Sequence, residues 1–75
     1  MKATPKMGEA FVIANGARTA AGLPCSIEQF LVDQNLQPRS VVVEHNGQAV
    51  APSEFGHRQL APGDRLEIVR IVAGG

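Results

Sequence analysis

Tryptophan and tyrosine are absent from this 75-residue chain, and phenylalanine occurs only three times. That leaves little flat aromatic surface on which bases could stack. Charge of either sign is not in excess: Lys plus Arg number 7, Asp plus Glu 7, and the formal net charge is zero. A basic stripe of the kind that binds nucleic acid or an acidic membrane is therefore missing. One cysteine, Cys25, excludes an internal disulfide, and a small chain without such staples fits the cytoplasm better than the secreted space. No apolar run approaches membrane-spanning length, and the opening MKATPKMGEA lacks the apolar centre of a secretory signal.

Catalytic patterns are missing too. His45 and His57 fall in no metal-ligand spacing and read as ordinary histidines. Cys25 stands just before a helix start, where the dipole favours a lowered thiol pKa. No base or oxyanion site accompanies it, so it reads as structural. The glycines at 16, 22, 47, 56 and 63 form neither a dinucleotide fingerprint nor a phosphate loop. The acids Glu28, Asp33, Glu44, Glu54, Asp64 and Glu67 read as solvated partners of Arg39, Arg58, Arg65 and Arg70.

What is present is enough apolar material, 44%, for one small core. Residues 1–8 read as a loose leader. Residues 10–14 are strand formers, followed by Asn15-Gly16, the strongest short hairpin signal, and a return over 17–20. The stretch SIEQFLVDQNL predicts one short helix. Ser26 caps it, Gln29 completes a capping-box pattern, and Ile27, Phe30 and Leu31 share one stripe. Asn35 suits the left-handed position past its end, with Leu36 folding back. SVVVEHNGQAV predicts a second hairpin around Asn46-Gly47. Residues 52–60 read as irregular with one helical turn near Ser53-Glu54-Phe55. Pro62-Gly63 suits a type II turn before a closing strand in DRLEIVRIV.

That order, ββαββ and then a late strand returning to the sheet centre, predicts an α+β fold of the β-grasp (ubiquitin-like) kind, a mixed sheet with one principal helix across one face. The domain would span residues 9–70 and a C-terminal tail residues 71–75. The strands are richer in apolar residues than one covered face requires. Val12 and Ala14 oppose Phe11 and Ile13, Val41 and Val43 oppose Val42, and Leu66 and Ile68 oppose Val69 and Ile71. Two readings stay open: ordinary exposed apolar side chains, or a docking patch on the open face.

The chain ends IVAGG. Without a Cβ on Gly74 or Gly75 an extended tail can thread a narrow channel and approach a nucleotide closely. Five extended residues reach about 17 Å, enough to enter a partner's active site.

In order, Asn15-Gly16, VVVEHNGQAVAPSEF and LAPGDRLEIVRIVAGG resemble the ThiS family of ubiquitin-like sulfur carriers in thiamine biosynthesis, over residues 10–75. One departure is the return Ala49-Val50-Ala51-Pro52, one residue longer between Val and Pro than that family has; another is the longer leader. The MoaD family of molybdopterin synthesis shares the Gly-Gly end but tends to carry Pro-Pro-Val-Ser before it, unlike Arg70-Ile71-Val72-Ala73. The resemblance implies a protein cosubstrate that catalyses nothing alone and binds no cofactor. A ThiF-like adenylyltransferase would consume ATP to activate the Gly75 carboxylate. Sulfur derived from a cysteine desulfurase would make a thiocarboxylate, and ThiG, thiazole synthase, would accept it. Gly75 would carry the chemistry, Gly74 and Ala73 would give slenderness, and Val72, Ile71 and Val69 would engage partners, with the free chain a monomer. A MoaD-like carrier for another pathway, or a ubiquitin-like modifier or interaction module, remains the alternative.

Overall fold

The computed structural model describes residues 10–71. Residues 1–9, which include the whole of the expected leader, and residues 72–75 of the expected tail lie outside it. Strands β1 (Phe11–Ala14) and β2 (Ala17–Ala20) flank the first turn. They are followed by β3 (Cys25–Ser26), helix α1 (Ile27–Asp33), β4 (Val41–His45), β5 (Gln48–Val50), β6 (Gln59–Leu60) and β7 (Arg65–Arg70).

Both hairpins form as the Asn-Gly pairs predict. Asn15 and Gly16 have φ of 51° and 82°, and Asn46 and Gly47 have φ of 51° and 86°. Positive φ at both central residues is the type I′ turn, whose twist matches that of the paired strands. At Pro62-Gly63 the expected type II turn closes with Asp64 N–H donating to the Ala61 carbonyl at 3.1 Å, and Gly63 takes φ of 85°.

The helix is stopped at both ends by its sequence. Ser26 Oγ accepts from the Gln29 N–H at 3.0 Å. The reciprocal half of the capping box does not form: the Gln29 amide turns forward to donate to Asp33 Oδ1 at 2.9 Å, one turn along the exposed face. At the other end Leu36 N–H reaches the Leu31 carbonyl at 2.8 Å and Asn35 N–H the Val32 carbonyl at 3.0 Å. With Asn35 at φ 63°, this is a complete Schellman ending.

One five-stranded sheet runs in the order β2-β1-β7-β4-β5. The pair β1–β7 is parallel and the others antiparallel, so the last strand occupies the centre. This is the expected β-grasp arrangement, with α1 across one face. Val12, Val41, Val43, Val50 and Leu66 from the sheet meet Ile27, Phe30 and Leu31 from the helix in one core. Phe55 and Leu60 close it from the long loop. That loop, read as irregular, holds a helical turn over Pro52–Glu54, and its β6 pairs antiparallel with β3. Two residues each made these strands invisible to any periodic signal.

Phe30 is 1% exposed and Val32, on the other face of α1, is 52% exposed. Phe30→Ala should cost roughly 3–5 kcal/mol and Val32→Ala under about 1 kcal/mol. Chemical denaturation monitored by circular dichroism checks the contrast, and equal losses would contradict this helix orientation.

Candidate functional site

Of the tail residues that the sequence singles out, Val69 and Ile71 are described, and Val72, Ala73, Gly74 and Gly75 lie outside the described residues. The site is therefore approached through the strand that leads to it. β7 is gripped from both sides. Asn15 Oδ1 accepts from the Ile68 N–H at 2.7 Å, and Asn15 Nδ2 donates to the Ile68 carbonyl at 3.0 Å. The Asn15 N–H also donates to the Leu66 carbonyl at 2.8 Å, so the turn residue prolongs the short parallel ladder past the end of β1. On the other edge Asn46 Oδ1 accepts from the Arg65 N–H and the Asn46 N–H donates to the Arg65 carbonyl, both at 2.9 Å.

The exit is fixed as well. Past the last strand residue, Ile71 N–H donates to the Ser40 carbonyl at 2.8 Å. Ser40 ends the short helical turn Pro38–Ser40 that starts β4. Asn35, Leu36, Gln37 and Arg70 line a cleft of about 360 Å³ beside it. The chain is thus held to a known direction up to Ile71.

Around this strand the two faces differ sharply. On the helix side Leu66 is fully buried and Ile68 packs against the core. On the other side Val42, Val69 and Ile71 are 54%, 61% and 55% exposed, with Val42 and Val69 directly opposite each other. Phe11 and Ile13 are half-buried, and the Arg18 guanidinium lies 4.4 Å from the centre of the Phe11 ring. The apolar surplus is therefore real surface.

The titratable groups differ from expectation in two respects. Asp64 does not partner an arginine. Its Oδ2 lies 2.7 Å from Nε2 of His45, a buried histidine on the helix side of β4, and also accepts from the Ala61 N–H at 2.9 Å. Asn46 Nδ2 reaches its other oxygen at 3.3 Å. Burial would raise the Asp64 pKa, but the hydrogen bonds from His45, Ala61 and Asn46 outweigh it and hold the carboxyl below its ordinary 3.8. Of the acids read as arginine partners only Glu54 has one among the described residues, Arg58 at 3.5 Å, and Glu28, Asp33, Glu44 and Glu67 form no such pair. Cys25 is the second correction. Partial burial against the core, helped by the nearby Asp33 carboxylate, pushes its thiol pKa up, opposite to the helix-dipole expectation. An inert thiol results. His57 stays exposed in the loop, and no group of three or more metal-ligating side chains exists among the described residues.

A mixed five-stranded sheet with its last strand central and one helix across one face defines this protein as ubiquitin-like, of the β-grasp class. Its similarity to known proteins narrows the class. A model of the ThiS family matches residues 9–75, and the chain belongs to that family. A crystal structure of a thiamine biosynthesis protein (ThiS) from Geobacter metallireducens has the same fold, with a TM-score of 0.75 and 22% identity over 87% of this chain and 99% of that one. No curated protein matches.

Two predictions follow from the grip on β7. Asn15→Gly keeps the positive φ while deleting the amide that holds Ile68, and should cost about 1–2 kcal/mol in denaturant titration. The Asp64 carboxylate stabilises the fold while charged. Because its folded pKa is depressed, that contribution is complete above the ordinary carboxylate value and disappears as pH falls through the folded one. Asp64→Asn should lower Tm at neutral pH, and the gap to the native chain should close as the pH falls below the ordinary carboxylate value and through the depressed folded one. A gap independent of pH would contradict the role given to its charge.

Proposed function

We propose that this chain is a sulfur carrier whose C-terminal glycine holds the sulfur as a thiocarboxylate for thiazole formation in thiamine biosynthesis. Membership of the ThiS family carries the reading. The sequence supports it with Gly74-Gly75, separated from the end of the central strand by three residues, Ile71 to Ala73. In this reading the chain is a protein cosubstrate and does no catalysis itself.

The Gly75 carboxylate oxygen attacks the α-phosphorus of ATP in a ThiF-like adenylyltransferase, pyrophosphate leaves, and a mixed anhydride with AMP results. The terminal sulfur of a cysteine desulfurase persulfide then displaces AMP at the acyl carbon, and a second thiol cleaves the resulting acyl disulfide, leaving the thiocarboxylate on Gly75 and a disulfide on the donor. The thiocarboxylate passes its sulfur to a ThiG-like thiazole synthase. The absence of a side chain at both terminal positions removes the steric obstacle to an adenylate at Gly75. Upstream, the bond from Ile71 to Ser40 and the Asn15 clamp on Ile68 give the tail a fixed point of departure. A fixed departure limits the volume the terminus must search before meeting ATP.

Incubation with the cognate adenylyltransferase, ATP, cysteine and desulfurase should yield a species in which one oxygen of Gly75 is replaced by sulfur, read by intact-protein mass spectrometry. Gly74→Val should leave Tm unchanged and lower the adenylation rate by roughly 100-fold or more. Native chain that acquires no sulfur while a known carrier does would overturn the proposal, and conjugates on lysines would make the chain a modifier instead.

A further inference from the structure

A hollow of about 530 Å³ lies between the first turn of α1 and the two short helical turns Pro38–Ser40 and Pro52–Glu54, and no residue of β7 lines it. Its volume is that of a small-molecule site. Pro38 and Pro52 open the two turns and, with the buried Phe55, give the hollow its apolar lining. Hydrogen bonds within the chain hold these walls. Ser40 N–H donates to the Gln37 carbonyl at 2.9 Å, Glu54 N–H to the Ala51 carbonyl at 2.8 Å, and Glu28 N–H to the Phe55 carbonyl at 2.9 Å. The hollow is built in advance, so little ordering accompanies the entry of a ligand. Two opposite charges stand on its rim and do not meet. Glu28 and Arg39 both line it, yet neither forms an ion pair among the described residues. The Glu28 carboxylate lies against the bare Cα of Gly56, where an added Cβ would stand 2.9 Å from Oε1. Glycine at 56 thus leaves room for the carboxylate, and a side chain there would displace it.

We propose that this hollow is a binding site for a free α-amino acid with an apolar side chain. Arg39 takes the ligand's carboxylate, Glu28 its ammonium, and the side chain rests on Phe55 between the two prolines. A plain anion would be repelled by Glu28 and a plain cation by Arg39, so a molecule bearing both charges is the better complement. The site stands apart from the carrier reading: it uses no residue of the tail and no step of sulfur transfer.

The test titrates L-phenylalanine into the isotope-labelled full chain and follows the backbone amides by NMR. Saturable shifts should appear at Glu28, Arg39, Phe55, Gly56 and His57, the last also on the rim. N-acetyl-L-phenylalanine lacks the ammonium and L-phenylalaninamide lacks the carboxylate. Each should bind roughly two- to fivefold more weakly, the loss of one exposed charge pair. Glu28→Gln and Arg39→Gln should weaken L-phenylalanine to the same degree, and Glu28→Gln should not weaken the N-acetyl compound further. Gly56→Ala should weaken L-phenylalanine with Tm unchanged, because the methyl displaces the carboxylate and position 56 requires no positive φ. The same spectra report whether each variant is folded. Absence of saturable shifts at these amides would overturn the proposal. Equal binding of L-phenylalanine and both blocked compounds would overturn it too, and would leave an apolar hollow for a partner's side chain.

Discussion

Everything in this fold depends on placing the last strand in the middle of the sheet. β7 must be inserted between β1 and β4, two strands laid down much earlier in the chain, and the parallel side of that insertion is short. Only Ile13↔Arg65 and Ala14↔Leu66 pair on the β1 side. The turn residue Asn15 makes up the shortfall by presenting an amide to Ile68 with the donor and acceptor geometry of a peptide group. Asn46 grips Arg65 on the opposite side at the other end of the strand. Two residues that the backbone needs for positive φ thus also supply the hydrogen bonds that a buried central strand cannot leave unmade. Glycine would satisfy the turns alone, but not the strand.

The same placement divides the sheet into two halves. Leu66 and Ile68 point into the core and fix the strand, while Glu67, Val69 and Ile71 point out to solvent. The period of two along one strand therefore assigns stability to one face and leaves the other exposed. The pair His45–Asp64 belongs to the first half. It pins the Pro62-Gly63 turn to the second hairpin just before β7 begins, so the strand enters the sheet in one register.

The sequence made the local geometry legible wherever one residue pair decides it. Asn15-Gly16, Asn46-Gly47, Ser26 and Asn35 each announced a turn, cap or ending, and the alternation along 41–43 and 66–71 divided the side chains into two opposed sets without saying which set faces the helix. Long-range partners were not legible. Nothing in the identity of Asp64 says that a histidine 19 positions earlier accepts it in place of an arginine, because that contact follows from β4 and β7 becoming neighbours. The same holds for the Asn15 clamp, which spans 53 positions. Cys25 misled because helix proximity was weighed without the burial that the β3–β6 pair imposes on it. The β3–β6 ladder itself is too short to leave a pattern.

On the proposed reading, a carrier that meets one enzyme to be loaded and another to be emptied cannot bind either too well. Among the described residues the exposed ridge holds three large aliphatic side chains, Val42, Val69 and Ile71. A contact of that size is small against a standard protein interface, and its desolvation alone leaves affinity modest. On the proposed reading, specificity then has to come from somewhere other than area. On that reading the Gly74-Gly75 end supplies it, because the partner has to accept it at the reacting carboxylate.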